Sequence, residues 1–221
     1  MKPTTCRNSA AVCLGLLLTG AACSAQDEWP RIRGAKSDGI ATNVDPPREW
    51  SADSHTKWKI PVPARGHSSP IVADGRIYLA TAIEENTREE KIGTNMSLVA
   101  DRITIKVLAY GFDDGKLIWE RSLFEVEKPD PVHVLNSFAT PTPVAEGKHL
   151  YCDFGTYGTA CLDAGTGEVV WRTRLPLDHE VGPGSSPTVY RNLLILVRDG
   201  RDDQYVTALD KMTGKTVWKT K

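Results

Sequence analysis

The chain has 221 residues, 40% of them hydrophobic and 25% charged, which suits a globular domain of up to about 200 residues. A formal net charge of −1, with Lys and Arg scattered rather than clustered, argues against a nucleic-acid surface.

The first 25 residues read as an export signal. Lys2 and Arg7 give a positive start, residues 10–22 form an apolar run too short to span a bilayer, and small residues follow through Ala25. Cleavage after Ala25 leaves 221 − 25 = 196 residues. Cys23 supports a second reading, a lipidated cysteine after Gly20-Ala21-Ala22, although Gly20 stands where a branched apolar residue is usual. Both readings export the protein to the periplasm or beyond, with membrane attachment only through a lipid at Cys23.

Residues 26–56 are rich in Gly, Pro and charge and are expected to form an irregular strap pinned by Trp29. Residues 57–62, Lys57-Trp58-Lys59-Ile60-Pro61-Val62, look like the last strand of a unit whose inner strands do not precede it. Three fuller units follow, at about residues 67–124, 137–175 and 184–221, so that residues 57–221 make one repeat domain. The polar segment 84–97 inside the first unit reads as a solvated loop; it contains Asn95-Met96-Ser97, a glycosylation pattern only in a host with that pathway.

Each unit ends in the same hairpin signature. In Asp113-Asp114-Gly115 to Trp119, Asp163 to Gly167 to Trp171, and Asp210 to Gly214 to Trp218, Gly stands four residues before Trp. The Asp-to-Gly distance is four residues in the last two copies and two in the first, which predicts a shorter first turn. The Asp can bond backbone N–H groups, the Gly supplies a positive φ, and the next strand carries the Trp. Pro70 and Tyr78, Pro143 and Tyr151, and Pro187 and Ile195 are each eight residues apart, so the inner strands share one register.

Four short strands per unit, no helical periodicity, and spacings of 52 and 47 residues between successive tryptophans identify an all-β fold, a β-propeller of three four-stranded blades plus an orphan strand. The unbroken apolar run from Leu193 to Val197 predicts a strand covered on both faces. The tryptophans then pack across blade seams, where truncation to Ala costs roughly 3–5 kcal/mol.

Outside the signal the cysteines are Cys152 and Cys161. Pairing Phe154 with Thr159 across a tight turn sets them opposite each other, either as a cross-strand disulfide or as two small buried residues. His67 and the His179-Glu180 pair fall in inter-blade connections on one rim, as binding candidates or as loop residues holding neighbouring blades together.

The pattern Ala-x-Asp-x-x-x-Gly-x-x-x-Trp, complete at Ala208, Asp210, Gly214 and Trp218, resembles the tryptophan-docking repeat of quinoprotein alcohol dehydrogenase-like propellers, the PQQ-like repeat. The second copy has Cys161 at the Ala position, and Trp29-Pro30, Arg33-Gly34 and Asp38-Gly39 resemble the leader of secreted members. Quinone dehydrogenases of this family use an adjacent disulfide-bonded cysteine pair, calcium held by acidic and amide side chains, and an Asp base. Here the two cysteines are nine residues apart, and Asp199, Asp202 and Asp203 lack an ordered ligand spacing and read as a solvated turn. The resemblance therefore implies an exported, non-catalytic binding or scaffold module needing no cofactor. The alternative is a fragment of a PQQ- and calcium-dependent alcohol or sugar dehydrogenase. Closed propellers need at least four blades, so the ring is expected to be incomplete, from a truncated frame or because a protein partner or second copy supplies the remainder.

Overall fold

The computed structural model describes residues 28–42 and 45–221. The proposed export signal, Cys23 included, lies outside the described residues.

In chain order, β1 (Ile71–Ala73) and β2 (Arg76–Glu85) are followed by the short strands β3 (Arg88–Ile92) and β4 (Asn95–Val99), then by β5 (Arg102–Gly111) and β6 (Leu117–Glu127). After β7 (Val132–His133) come β8 (Val144–Glu146), β9 (His149–Asp153), β10 (Thr159–Asp163) and β11 (Val169–Thr173). The last four are β12 (Thr188–Tyr190), β13 (Leu193–Asp199), β14 (Gln204–Asp210) and β15 (Thr216–Thr220). Three antiparallel four-stranded sheets result, β1-β2-β5-β6, β8-β9-β10-β11 and β12-β13-β14-β15, hereafter blades 1, 2 and 3. Their first strands lie side by side, β8 touching both β1 and β12, as the inner strands of propeller blades do.

The shared inner register is present in all three blades: Ile71 faces Tyr78, Val144 faces Tyr151 and Thr188 faces Ile195. Extended to the outer strands, one row per blade runs Ile71-Tyr78-Ala109-Trp119, Val144-Tyr151-Cys161-Trp171 and Thr188-Ile195-Ala208-Trp218. A small residue, Ala or Cys, lies beside each indole.

Blade 2 is buried on both faces, and strand alternation divides its side chains between two cores. Leu150, Cys152, Ala160 and Leu162 join Ile103, Ile105 and Phe124 in the seam with blade 1, while Val144, Tyr151 and Cys161 join Leu194, Leu196 and Leu209 in the seam with blade 3.

The structure corrects four expectations. The segment 84–97 is ordered: β2 runs on to Glu85, and β3 and β4 form a two-residue hairpin in which Ile92 faces Asn95 and Gly93 has a φ of 61°. Its charges disguised a sheet that Leu98 completes by pairing with Val132 of β7. Residues 57–62 form no strand, although Trp58 still docks as a blade tryptophan does (below). β13 is not covered on both faces: Leu194 and Leu196 are buried, whereas Val197 is 46% exposed. The strap also does more than lie on the surface: Trp29 pairs in both directions with Val72 of β1, and the Pro30 carbonyl accepts from Ala145 N–H of β8 at 2.8 Å, joining the inner strands of two blades.

Candidate functional site

The repeated contact between blades is an indole seated on a glycine turn. Trp58 Nε1–H donates to the Phe112 carbonyl at 3.0 Å, Trp119 Nε1–H to Ala164 at 3.1 Å and Trp171 Nε1–H to Lys211 at 2.9 Å. In every case the accepting carbonyl is three residues before the turn glycine. Gly115, Gly167 and Gly214 have φ of 66°, 71° and 70°, and a Cβ there would lie 2.8, 2.7 and 2.5 Å from the ring of Trp58, Trp119 and Trp171 respectively. Glycine thus permits both the left-handed turn and the close approach of the ring.

These turns have one length. The N–H of each glycine bonds the carbonyl four residues earlier, at Gly111, Asp163 and Asp210. The first turn is therefore not shortened, and Asp113 is not its motif aspartate: Gly111 holds that place, while Asp113 is exposed and ion-paired with Lys57. Compensation comes from Asp114, whose Oδ1 lies 2.5 Å from where a Gly111 Cβ would be and accepts the Lys116 N–H at 3.1 Å. In the other two turns Asp163 and Asp210 accept from the N–H and hydroxyl of Thr166 and Thr213, at 2.8 to 3.1 Å. Bonds from Thr166 and Thr213 hold these two carboxyls below the usual carboxylate range.

A second link with the same direction runs along the inner strands. Ser69 N–H donates to Thr142 Oγ1 at 3.0 Å, and Thr142 N–H donates to Ser186 Oγ at 2.9 Å; each residue immediately precedes a proline. Every blade therefore offers the next one an indole and an N–H.

Blade 3 makes that offer to nothing described. Trp218 is 37% exposed, β15 is exposed throughout, and Ile195, Val197 and Val206 share its face. The three turns of this kind among the described residues, at Gly115, Gly167 and Gly214, already seat an indole, leaving Trp218 as the unseated member of the series.

On the opposite rim, the histidines are not brought together as a site. His67 is exposed, with its backbone N–H on the Ala139 carbonyl, and Glu180 is exposed as well. His179 is buried against Tyr157, its Nε2 3.2 Å from the Tyr157 hydroxyl and its Nδ1 without a partner. Burial lowers its pKa, so the ring is neutral near pH 7.

Of the two cysteine readings, the cross-strand disulfide fails on register and the pair of small buried residues holds. Thr159 faces Asp153, not Phe154, because a 3-10 turn at Gly155–Tyr157 takes up one more residue. Cys152 then faces Ala160, Cys161 faces Tyr151, and the two thiols point into different seams as free, buried cysteines. Burial pushes Cys152 well above the ordinary thiol range and Cys161 up to about 12.

Sequence reading missed one feature, a buried ion pair across the seam of blades 2 and 3. Arg198 of β13 grips Asp153 of β9 bidentately, with Nη1 to Oδ2 at 2.9 Å and Nη2 to Oδ1 at 2.7 Å, and both side chains are at most 2% exposed. Thr159 Oγ1 adds a bond to Asp153 at 2.6 Å. Strand parity carried the signal: Arg198 falls on the same face as Leu194 and Leu196.

The residues present do not fit a calcium-bound quinone. The cysteines diverge, and among the described residues no three His, Cys, Asp or Glu side chains cluster as metal ligands. Within the acidic turn, Asp202 caps the N–H groups of Asp178 and Asp203, and Asp203 pairs with Lys219 and Lys221.

The family described as outer membrane protein assembly factor BamB matches residues 104–221, just over half of the chain. The chain belongs to this PQQ-like repeat family. Among solved structures, it is similar to quinohemoprotein alcohol dehydrogenase from Comamonas testosteroni, with 20% identity over 71% of this chain and 21% of that one (TM-score 0.47). Similar too are quinohemoprotein alcohol dehydrogenase ADHIIG from Pseudomonas putida HK5, with 21% identity over 73% of this chain and 21% of that one (TM-score 0.46), and BamB from Moraxella catarrhalis, with 14% identity over 75% and 54% (TM-score 0.41). The chain spans about a fifth of the length of the two dehydrogenases. No curated protein matches it.

Proposed function

We propose that this chain is an exported, non-catalytic scaffold module that binds protein, with the Trp218 face of blade 3 as its contact surface. The observation that carries this reading is the unseated indole. Three others in the chain are satisfied by one turn geometry, and the fourth lies exposed on an apolar face of a kind that soluble monomers usually cover. The chemistry of the contact defines the partner as a protein edge presenting a vacant left-handed turn with a free carbonyl three residues before it. A second copy of the same arc offers no such vacancy among its described residues, which favours a segment other than this arc as the occupant. The composition of residues 1–25 supports export, and the BamB description of the family supports a role in protein assembly at an outer membrane.

A photo-crosslinking amino acid placed at position 218, and as a control at exposed position 50, tests this in the envelope of producing cells. A discrete protein adduct at position 218 that is absent at position 50 is expected. Equal, diffuse labelling at both positions would contradict the reading.

A further inference from the structure

The hairpin inserted in blade 1 ends its small sheet on a bare strand. β3 lies at the edge of the sheet β3-β4-β7, all of its residues are exposed, and among the described residues nothing pairs with its outer side. Such an edge is a template for another strand.

Register identifies the backbone groups that are open. β3 and β4 meet across a tight turn at the pair Ile92 and Asn95, so alternation makes Ile92 with Asn95, Glu90 with Ser97 and Arg88 with Val99 the hydrogen-bonded pairs. The far side of β4 agrees: the Met96 carbonyl is taken by Val134 N–H at 3.1 Å, away from Lys91. The N–H and C=O of Glu89 and Lys91 therefore point out of the sheet edge. Their charges are open as well. Arg88 and Glu90, on one face of the strand, are ion-paired at 2.5 Å, and Arg88 also reaches Asp101 at 3.0 Å; Glu89 and Lys91, on the other face, make no ion pair among the described residues.

We propose that β3 is a dimerisation edge, which pairs antiparallel about a two-fold axis at Glu90 with β3 of a second copy of this chain. A symmetric pairing must set outward-facing residues opposite each other. With the axis at Glu89 the two Glu89 carboxylates meet, and with the axis at Lys91 the two Lys91 ammonium groups meet. Only the axis at Glu90 matches both open residues with each other, so that each Glu89 faces the partner's Lys91. Each such pair exchanges two backbone hydrogen bonds and places opposite charges directly across the seam. Arg88 then faces the partner's Ile92, an exposed apolar side chain that its aliphatic stem can cover. The Glu90 carboxylates at the axis are the one like-charged meeting, and each is already held by its own Arg88. Charge on an edge ordinarily keeps it unpaired. Here it rejects the neighbouring registers and admits this one. The contact lies on blade 1 and makes no use of the Trp218 face of blade 3.

The test is sedimentation equilibrium of the whole chain at low salt and rising concentration, where a monomer–dimer equilibrium is expected. Lys91→Glu turns both charge pairs repulsive and should weaken association by about tenfold or more. Adding Glu89→Lys to the same chain should restore it, because the charges are then merely exchanged. Mixing the Lys91→Glu chain with a Glu89→Lys chain should give a heterodimer. Amide hydrogen exchange locates the seam: the N–H groups of Glu89 and Lys91 should gain protection with concentration, while that of Glu90, already bonded to Ser97, should not. A chain that stays monomeric, a dimer indifferent to Lys91→Glu, a double variant no better than the single one, or protection that appears elsewhere and not at Glu89 and Lys91 would each overturn the proposal.

Discussion

Trp171 and Gly214 hold each other's conformation: the indole lies where a Gly214 side chain would be, and its N–H is bonded to the Lys211 carbonyl at 2.9 Å. The same pairing occurs between Trp119 and Gly167 and between Trp58 and Gly115, which makes it the unit of cohesion between blades. Gly167→Ala would impose a left-handed conformation on a residue with a Cβ and drive that atom to 2.7 Å from the Trp119 ring. The expected loss is about 2–5 kcal/mol, the sum of the backbone and overpacking costs. Urea denaturation followed by tryptophan fluorescence measures it. Gly147→Ala serves as a control, since Gly147 also has a positive φ (55°) but open space around it, and should lose only the backbone part.

Arg198 and Asp153 are close to fully buried, so removing either partner strands the other. Arg198→Met and Asp153→Asn should each cost about 3–5 kcal/mol, while the double substitution recovers much of that loss. A double-mutant cycle by chemical denaturation gives the coupling, and additive losses would show that the two groups act independently.

Cys152 and Cys161 occupy different seams, each with its thiol pKa raised by burial. In the native protein both should resist alkylation by iodoacetamide near pH 8 and react on unfolding. A reducing agent should leave the unfolding midpoint unchanged. A midpoint that falls with dithiothreitol would reveal the disulfide that the register forbids.

His179 links stability to pH. Its folded pKa lies below the ordinary histidine value of 6.5, so the unfolded chain takes up the proton first as pH falls. The contribution is fully present above pH 6.5 and is lost as pH falls toward the folded value. The melting temperature should drop between pH 7 and pH 5, and His179→Phe, which keeps the ring against Tyr157, should flatten that drop. An unchanged slope in the variant would assign the pH dependence to other groups.

Much of the architecture was legible because spacing alone encodes it. The eight-residue Pro-to-Tyr interval and the four-residue Gly-to-Trp interval survive in the structure as strand register and seated indoles. Reading failed where one residue stood in for another. Gly111 with Asp114 replaces the Asp-and-Thr arrangement of the other turns, which made a turn of equal length look short. The 3-10 turn after Phe154 shifted the cysteine register by one, since loop conformation is not carried by alternation. Charge on Arg88, Glu89, Glu90 and Lys91 concealed a strand that is exposed on both faces, where nothing selects apolar residues. The rim was the least legible part, because the state of His179 depends on Tyr157 and Asp130, neither of them its neighbour in sequence.

The most direct test compares two equivalent indoles that differ only in whether a turn receives them. Trp171→Ala and Trp218→Ala would be unfolded in urea side by side, in the isolated chain. Loss of the seated Trp171 should cost roughly 3–5 kcal/mol, as for a large aromatic in a core, and loss of the exposed Trp218 less than about 1 kcal/mol. Equal losses would mean that Trp218 is already seated within this chain, and the blade 3 face would then not be a vacant contact surface.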